Sequence, residues 1–229
     1  MKNNSAQQIW VIVPAYNEEF SISNVIRGVL TRYKNILVVD DCSIDQTAYL
    51  ASQAGANVLR HSLNLGQGAA LQTGITYALR RGASLIVTFD ADGQHSVGDV
   101  DVLISALNRS GVEIALGSRF LGSTAGISWG RKLLLKVAIL FTNVTTGLVL
   151  TDTHNGLRVL TKNAAEKICL TQNRMAHASE IVETIARLKI PYIEAPVTIS
   201  YTEYSRLKGQ RALGGFFVLL DLIIKKEQK

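Results

Sequence analysis

Asp90 and Asp92 close an apolar run and are followed by Gly93, Gln94 and His95, which makes them the pair in this sequence best placed to do chemistry. Where a strand gives way to a loop, two carboxylates spaced i and i+2 can turn toward one divalent cation, and Gly93 permits the turn. Such oxygen ligands favour Mg2+ or Mn2+, with the open positions left to phosphate oxygens and water. The competing reading is a helix cap or solvated turn that carries two acids. An EF-hand loop is excluded, because the sixth position from Asp90 is His95 where that loop needs glycine.

Two more polar clusters follow apolar runs, Pro14-Ala15-Tyr16-Asn17-Glu18-Glu19 and Asp40-Asp41-Cys42-Ser43-Ile44-Asp45. Ligands of open parallel sheets bind outside the carboxyl ends of strands, so all three clusters would open onto one edge. Asp45 is placed to cap the helix after it; Asp41 could do the same, or accept hydrogen bonds from a nucleobase or ribose. Arg119 and Arg131 flank a Gly- and Ser-rich stretch where guanidinium groups suit phosphate oxygens, although each alone reads first as an exposed charge. Gly66-Gln67-Gly68 imitates a dinucleotide fingerprint, but it does not follow the first strand and its third small residue is replaced by Leu71. Close helix packing is the better reason for those glycines. His61, His95, His154 and His177 lack metal-ligand spacing, and no G-x-S-x-G elbow or Cys–His arrangement supports a hydrolase.

These residues need strands to carry them, and the apolar pattern supplies strands at Ile9–Val13, Ile36–Asp40, Asn57–Arg60, Leu85–Phe89 and Ile114–Gly117. Amphipathic stretches near 19–31, 45–54, 67–81 and 97–109 alternate with them, the rhythm of parallel strands joined by crossover helices. After Gly117 the pattern predicts a basic, glycine-bearing loop and a helical run from Arg131 to Val149. A short strand near Leu157–Leu160, one or two helices between Lys162 and Leu188, and a strand near Tyr192–Ser200 follow. The chain closes with an apolar run, Ala212–Ile224, capped by Lys225 and Lys226. Nothing resembles a linker, so the second half extends the same domain.

Composition narrows the class. With 229 residues, 47% hydrophobic and 18% charged, the chain can build one large domain or two very small ones. Eighteen glycines against three prolines, without a repeat, exclude collagen-like, disordered and solenoid classes. The net charge of +6 lies in the second half, where Arg119, Arg131, Lys132 and Lys136 stand without an acid among them. That excess suits phosphorylated substrates, an anionic membrane surface or nucleic acid. Cys42 and Cys169 indicate neither zinc nor a disulfide, so a reducing cytosol is expected. Met1–Gln8 lacks the apolar core of a signal peptide and no apolar run reaches the roughly 20 residues of a membrane span, so neither export nor spanning is expected. Leu133–Phe141 and Phe216–Ile224, with Lys136, Lys225 and Lys226, read equally as interfacial helices or as a dimer or core contact.

Val11–Glu19, Val38–Thr47, Asn64 with Gly66 and Gly68-Ala69-Ala70, and Asp90–His95 together resemble the family 2 glycosyltransferases of GT-A fold. The resemblance spans about Ile9 to Gln210. Gly117-Ser118-Arg119-Phe120 and Asp152-Thr153-His154-Asn155-Gly156-Leu157-Arg158 make it most similar to the dolichyl- or polyprenyl-phosphate sugar synthase branch. It implies an α/β chain, a Rossmann-like, mostly parallel sheet flanked by helices with a C-terminal amphipathic extension. Residues 1–229 would form one domain, with a donor half over about 9–117 and an acceptor- and membrane-facing half over about 118–229.

By the same resemblance, Pro14, Tyr16, Glu18 and Asp41 hold the nucleoside of a GDP- or UDP-sugar donor, and Asp90, Asp92 and Gln94 hold Mg2+ or Mn2+ on its diphosphate. Asp92, Arg119 and Arg131 form the catalytic set, with the two arginines on the acceptor phosphate, and Lys208 closes over the diphosphate. The implied reaction is an inverting transfer to a lipid phosphate at the cytoplasmic face of a membrane. Contact with that membrane is peripheral, nucleic acid is not a partner, and a homo-oligomer is compatible. Gln67 replaces a common lysine, Cys42 a frequent glycine and Leu135 an expected serine.

The rival within the family acts on a sugar hydroxyl in polysaccharide synthesis and needs a carboxylate base, for which Asp152 is the candidate. A sugar nucleotidyltransferase would want a glycine-rich, basic loop after the first strand, which Pro14–Glu19 is not. A non-catalytic binding module gives no reason for two metal-spaced acids.

Overall fold

The computed structural model describes residues 7–125, 129–153, 155–171 and 177–200. In chain order the elements are β1 (Ile9–Ala15), α1 (Ile22–Leu30), β2 (Asn35–Asp40), α2 (Thr47–Gln53), β3 (Asn57–Arg60), α3 (Gln67–Arg80) and β4 (Leu85–Thr88). Then come α4 (Val97–Ser110), β5 (Ile114–Ala125), α5 (Trp129–Thr146), β6 (Arg158–Thr161), α6 (Lys162–Lys167), α7 (His177–Leu188) and β7 (Tyr192–Ser200).

The strands form one sheet in the order β3-β2-β1-β4-β6-β5-β7. Strands β1 to β4 pair in parallel, as do β5 and β7, while β6 runs antiparallel to both of its neighbours. The sheet is therefore mostly parallel, as expected. Because β6 is reversed, its first residues reach the same edge as the carboxyl ends of β1, β2 and β4.

Side chains alternate across each strand, and both faces are covered. Val11, Val13, Leu85, Val87 and Val159 pack with Ile22, Ile26 and Val29 of α1, Ala51 of α2 and Val100 and Leu103 of α4. Trp10, Ile12, Ile86 and Leu160 pack with Ala70, Leu71 and Ile75 of α3 and with residues of α6 and α7. Near-continuous Val and Ile runs are what strands buried on both faces require.

Two expectations change. The stretch after Gly117 is not a loop as far as Ala125: β5 is 12 residues long, Ile114–Ala125, pairing with β7 across a register shift between Ser118 and Ser123. Gly122 allows this, since a Cβ there would lie 2.1 Å from the Val197 carbonyl oxygen. Gly66 has a conformational reason to be glycine. Its φ of +92° makes the turn into α3, and a close approach between helix and sheet is found at Gly74, where a Cβ would meet Ile12 Cγ2 at 2.2 Å.

Candidate active site

The first two clusters are sewn into one unit at the carboxyl edge. Asn17 takes a left-handed conformation (φ +53°), its N–H donates to Ser43 Oγ at 2.9 Å, and its Oδ1 accepts from the Ile44 N–H at 3.0 Å. The Glu18 N–H donates to Thr47 Oγ1 at 2.7 Å and the Glu19 N–H to Asp45 Oδ2 at 3.2 Å. Asp45 also accepts from the Thr47 N–H at 2.9 Å, an Asx turn one residue ahead of Gln46, the N-cap of α2, so it does not take the capping role expected of it and instead braces the neighbouring loop. Pro14 is buried at the end of β1, Tyr16 stands exposed beside it, and Glu18 accepts from Ser21 Oγ at 3.2 Å.

Asp41 caps nothing in α2. Its Oδ1 accepts from the Leu65 N–H at 2.9 Å and meets His61 Nδ1 at 2.8 Å, and its Oδ2 accepts from the Gly66 N–H at 2.6 Å. His61 Nε2 in turn meets Thr73 Oγ1 at 3.0 Å. This buried carboxylate therefore anchors the β3–α3 loop to the end of β2. Any hold it has on a nucleoside runs through that loop as well as through its own oxygens.

At the end of β4, Asp90 and Asp92 leave the sheet side by side. Asp90 Oδ1 accepts from Gln67 Nε2 at 3.3 Å and Oδ2 meets His95 Nε2 at 3.0 Å, while the His95 ring stands edge-on to Phe89. Gly156, two residues ahead of the reversed strand, lies directly under Asp90: a Cβ there would fall 2.2 Å from Oδ2. Thr88 Oγ1 fixes that approach by donating to the Gly156 carbonyl at 2.6 Å. Gln94 holds Asp92 with its N–H on Oδ1 at 3.0 Å and its Nε2 on Oδ2 at 2.7 Å. The turn is tied to β7, whose Ser200 N–H donates to the Gln94 carbonyl at 3.0 Å.

Burial, and then the neighbouring charge of Asp90, push the Asp92 carboxyl up to about 6, with Glu18 adding to the repulsion. A divalent cation between the two carboxylates would relieve that repulsion, so the residues present fit one. Among the described residues no group of three or more His, Cys, Asp or Glu forms a metal cage. A cation here would accordingly take two carboxylates and complete its shell with ligand oxygens and water. Beside Asp92, on the α1 and α4 side, opens a cleft of about 570 Å3 lined by Phe20, Ser21, Asn24, Phe89 and His95.

Arg119 is not an exposed charge. Its Nε donates to Asp152 Oδ2 at 2.6 Å and its backbone N–H to the same oxygen at 3.1 Å, with side chains only 8% and 1% exposed. Asp152 is positioned from behind, because the N–H groups of Thr151 and Asp152 donate to the Glu194 carboxylate on β7 at 2.9–3.0 Å. Desolvation pushes the Glu194 carboxyl up despite those bonds. Ser118 Oγ meets Thr151 Oγ1 at 2.6 Å, and Thr151 borders a hollow of about 560 Å3 lined by Phe120, Lys132, Lys136 and Leu140. Arg131 lies in the first turn of α5, with its side chain outside the described residues, as are Lys208, His154 and Ala212–Ile224.

One edge thus gathers Pro14, Tyr16, Glu18, Asp41, Asp90, Asp92 and Gln94, and Arg119 approaches it from β5. The sequence assigns no role to His95 and Gln67, which hold Asp90, or to Gly156, just ahead of β6, and Arg158, its first residue. His95 and Gln67 stood inside quoted motifs, but only the folded loops reveal their partner.

A model of the family described as Glycosyl transferase family 2 matches residues 10–169. The chain is 32% identical over 245 residues to the UDP-N-acetylglucosamine–dolichyl-phosphate N-acetylglucosaminyltransferase of Methanococcus voltae, covering 96% of this chain and 97% of that one. It is 30% identical over 230 residues to the polyprenol monophosphomannose synthase of Mycolicibacterium smegmatis, covering 94% and 86%. Among solved structures, glucosyl-3-phosphoglycerate synthase from Mycobacterium tuberculosis, in complex with Mn2+, UDP and glucosyl-3-phosphoglycerate, superposes with a TM-score of 0.68. That likeness has 16% identity and covers 85% of this chain and 71% of that one.

Proposed function

The chain belongs to glycosyl transferase family 2, with the GT-A fold of that family, and from this premise we propose that it moves a sugar from a nucleotide-sugar donor to a polyprenyl phosphate, with inversion. One observation carries the choice of acceptor. Asp152, the carboxylate that a hydroxyl acceptor would need as its base, is buried against Arg119 Nε at 2.6 Å and positions that arginine instead. A phosphate monoester is already anionic at neutral pH and attacks without a base.

The chain's own residues divide the work. The loops braced by Asn17, Ser43 and Asp45, together with the β3–α3 loop held by Asp41, shape the nucleoside end of the cleft. Asp90 and Asp92 face the diphosphate, held by His95 and Gly156 on one side and by Gln94 on the other. A divalent cation bound there, Mg2+ or Mn2+, supplies the positive charge that a departing nucleoside diphosphate needs. Arg119, fixed by Asp152, and Arg131 at the start of α5 orient the acceptor phosphate for in-line attack on the anomeric carbon. Lys208, which lies outside the described residues, is eight residues beyond Ser200, a stretch that spans at most about 29 Å, and its part is to close over the diphosphate.

Helix α5 supports a lipid acceptor. Trp129, Leu133, Val137, Leu140 and Val144 are 48–79% exposed and, at about 100° per residue, fall within about 80° of arc. Lys132 and Lys136 flank that stripe and no acid occurs in α5, a face fit to rest among anionic headgroups. No described helix is long and apolar enough to cross a membrane, so contact through α5 is peripheral.

The test is a screen of radiolabelled nucleotide sugars with polyprenyl phosphate and Mn2+. Label extracted into organic solvent as a phosphodiester is the expected result; label that stays with a water-soluble glycan acceptor overturns the assignment.

A further inference from the structure

Arg158 is a buried charge that the reaction above does not use. It lies on β6 opposite Thr88 of β4 and Leu116 of β5, and it shares a sheet face with Leu160, which is wholly in the core. Its exposure is 3%, and its Nη1 is buried without a hydrogen-bond partner. A guanidinium so placed is costly unless fixed opposite charge offsets it. Its electrostatic partners are Asp90 and Asp152, one from the metal-facing pair and one from the arginine-holding pair. Gly156 lies beneath Asp90 and Asp152 beside Arg119, so these two residues, just ahead of Arg158 in the chain, touch both halves of the site.

The position of this charge has opposite consequences for two ligands. A bare divalent cation approaching Asp90 is repelled by Arg158. A cation already paired with a free nucleoside diphosphate carries net negative charge and is attracted by it, and one paired with a nucleotide sugar, whose bridging diphosphate just balances the cation, is neutral and escapes the repulsion. We propose that Arg158 is a positioning residue that sets the order of loading, disfavouring the bare cation and favouring the cation–diphosphate pair in the cleft. The inference rests on the donor reading given above and adds to it a rule of assembly: metal and diphosphate enter together.

Mn2+ binding by the full-length chain, measured by EPR and calorimetry with and without UDP, tests this without any turnover. Arg158→Gln should bind bare Mn2+ about fivefold more tightly than the wild type and bind UDP, at saturating Mn2+, about fivefold more weakly, as removal of one partly screened charge requires. Arg158→Lys, which keeps the charge, should match the wild type in both. A purely structural role would weaken both ligands together in Arg158→Gln, and that result overturns the proposal, as does no change in either. Should Arg158→Gln fail to fold, a Lys variant that binds bare Mn2+ more tightly overturns it equally. If the wild type itself binds no Mn2+ with UDP, the donor reading falls and the loading rule with it; normal wild-type binding with unaltered variants sinks the loading rule alone.

Discussion

Replacing Asp92 with Asn should make the metal-free protein more stable at neutral pH while removing metal-dependent transfer. Asp92 ionises near 6 in the folded chain against 3.8 for the free side chain. The folded state therefore holds its proton after the unfolded state has released it. Stability falls as pH rises from about 4 to about 6, and the whole penalty is present above that window. A difference of roughly two units corresponds to about 3 kcal/mol. An asparagine cannot ionise, so the stability of Asp92→Asn relative to wild type should grow by up to about 3 kcal/mol between pH 4 and pH 7, or about 6–12 °C in Tm for a chain of this size. Urea denaturation in EDTA across that range measures the difference, and comparison of slopes cancels any constant loss of the Gln94 contacts. Saturating Mn2+ should restore the wild type and leave the variant unmoved. Parallel pH curves for the two proteins would refute the claim that Asp92 is held charged against its surroundings.

Gly156→Ala should lower Mn2+ affinity at least about tenfold with the fold retained, because the new methyl would occupy the space of the Asp90 carboxylate; unaltered titration would count against that cradle. Asp152→Asn should raise the KM for polyprenyl phosphate and cost about 3 kcal/mol of stability by leaving the Arg119 guanidinium without its buried partner. A variant that keeps its acceptor KM and loses only the acidic limb of its pH profile would instead mark Asp152 as a base. Leu140→Glu with Val144→Glu on the exposed stripe of α5 should reduce sedimentation with anionic vesicles about tenfold or more without changing Mn2+ binding, and undiminished sedimentation would remove α5 as the membrane face.

The donor edge was legible because its motifs are local. Asp40, Asp41, Asp90 and Asp92 each follow a Val- and Ile-rich run whose burial on both faces leaves one direction for the polar residues to emerge, the carboxyl end of a parallel strand. The acceptor side was less so, and the reason is sequence distance. Whether Gly117-Ser118-Arg119-Phe120 is loop or strand depends on β7, about 75 residues later, which pairs with β5 through Ala125. Arg119 reads as exposed until Asp152 and Glu194 are brought against it from two other elements. The antiparallel insertion of β6 has no local signature either, yet it alone puts Gly156 and Arg158 at the edge. For Asp41 the local sequence offers a helix cap or a ligand contact. Its actual role, to hold a loop across 24 residues at the Leu65 N–H, depends on a partner too distant in sequence to leave a local signal.

Crystals grown with manganese and a nucleoside diphosphate provide the most direct measurement, through an anomalous difference map collected at the manganese edge. One strong peak is expected within bonding distance of both Asp90 and Asp92, with diphosphate oxygens completing its shell. A peak elsewhere on the chain, or a bound diphosphate with no metal between it and those two carboxylates, would contradict that expectation.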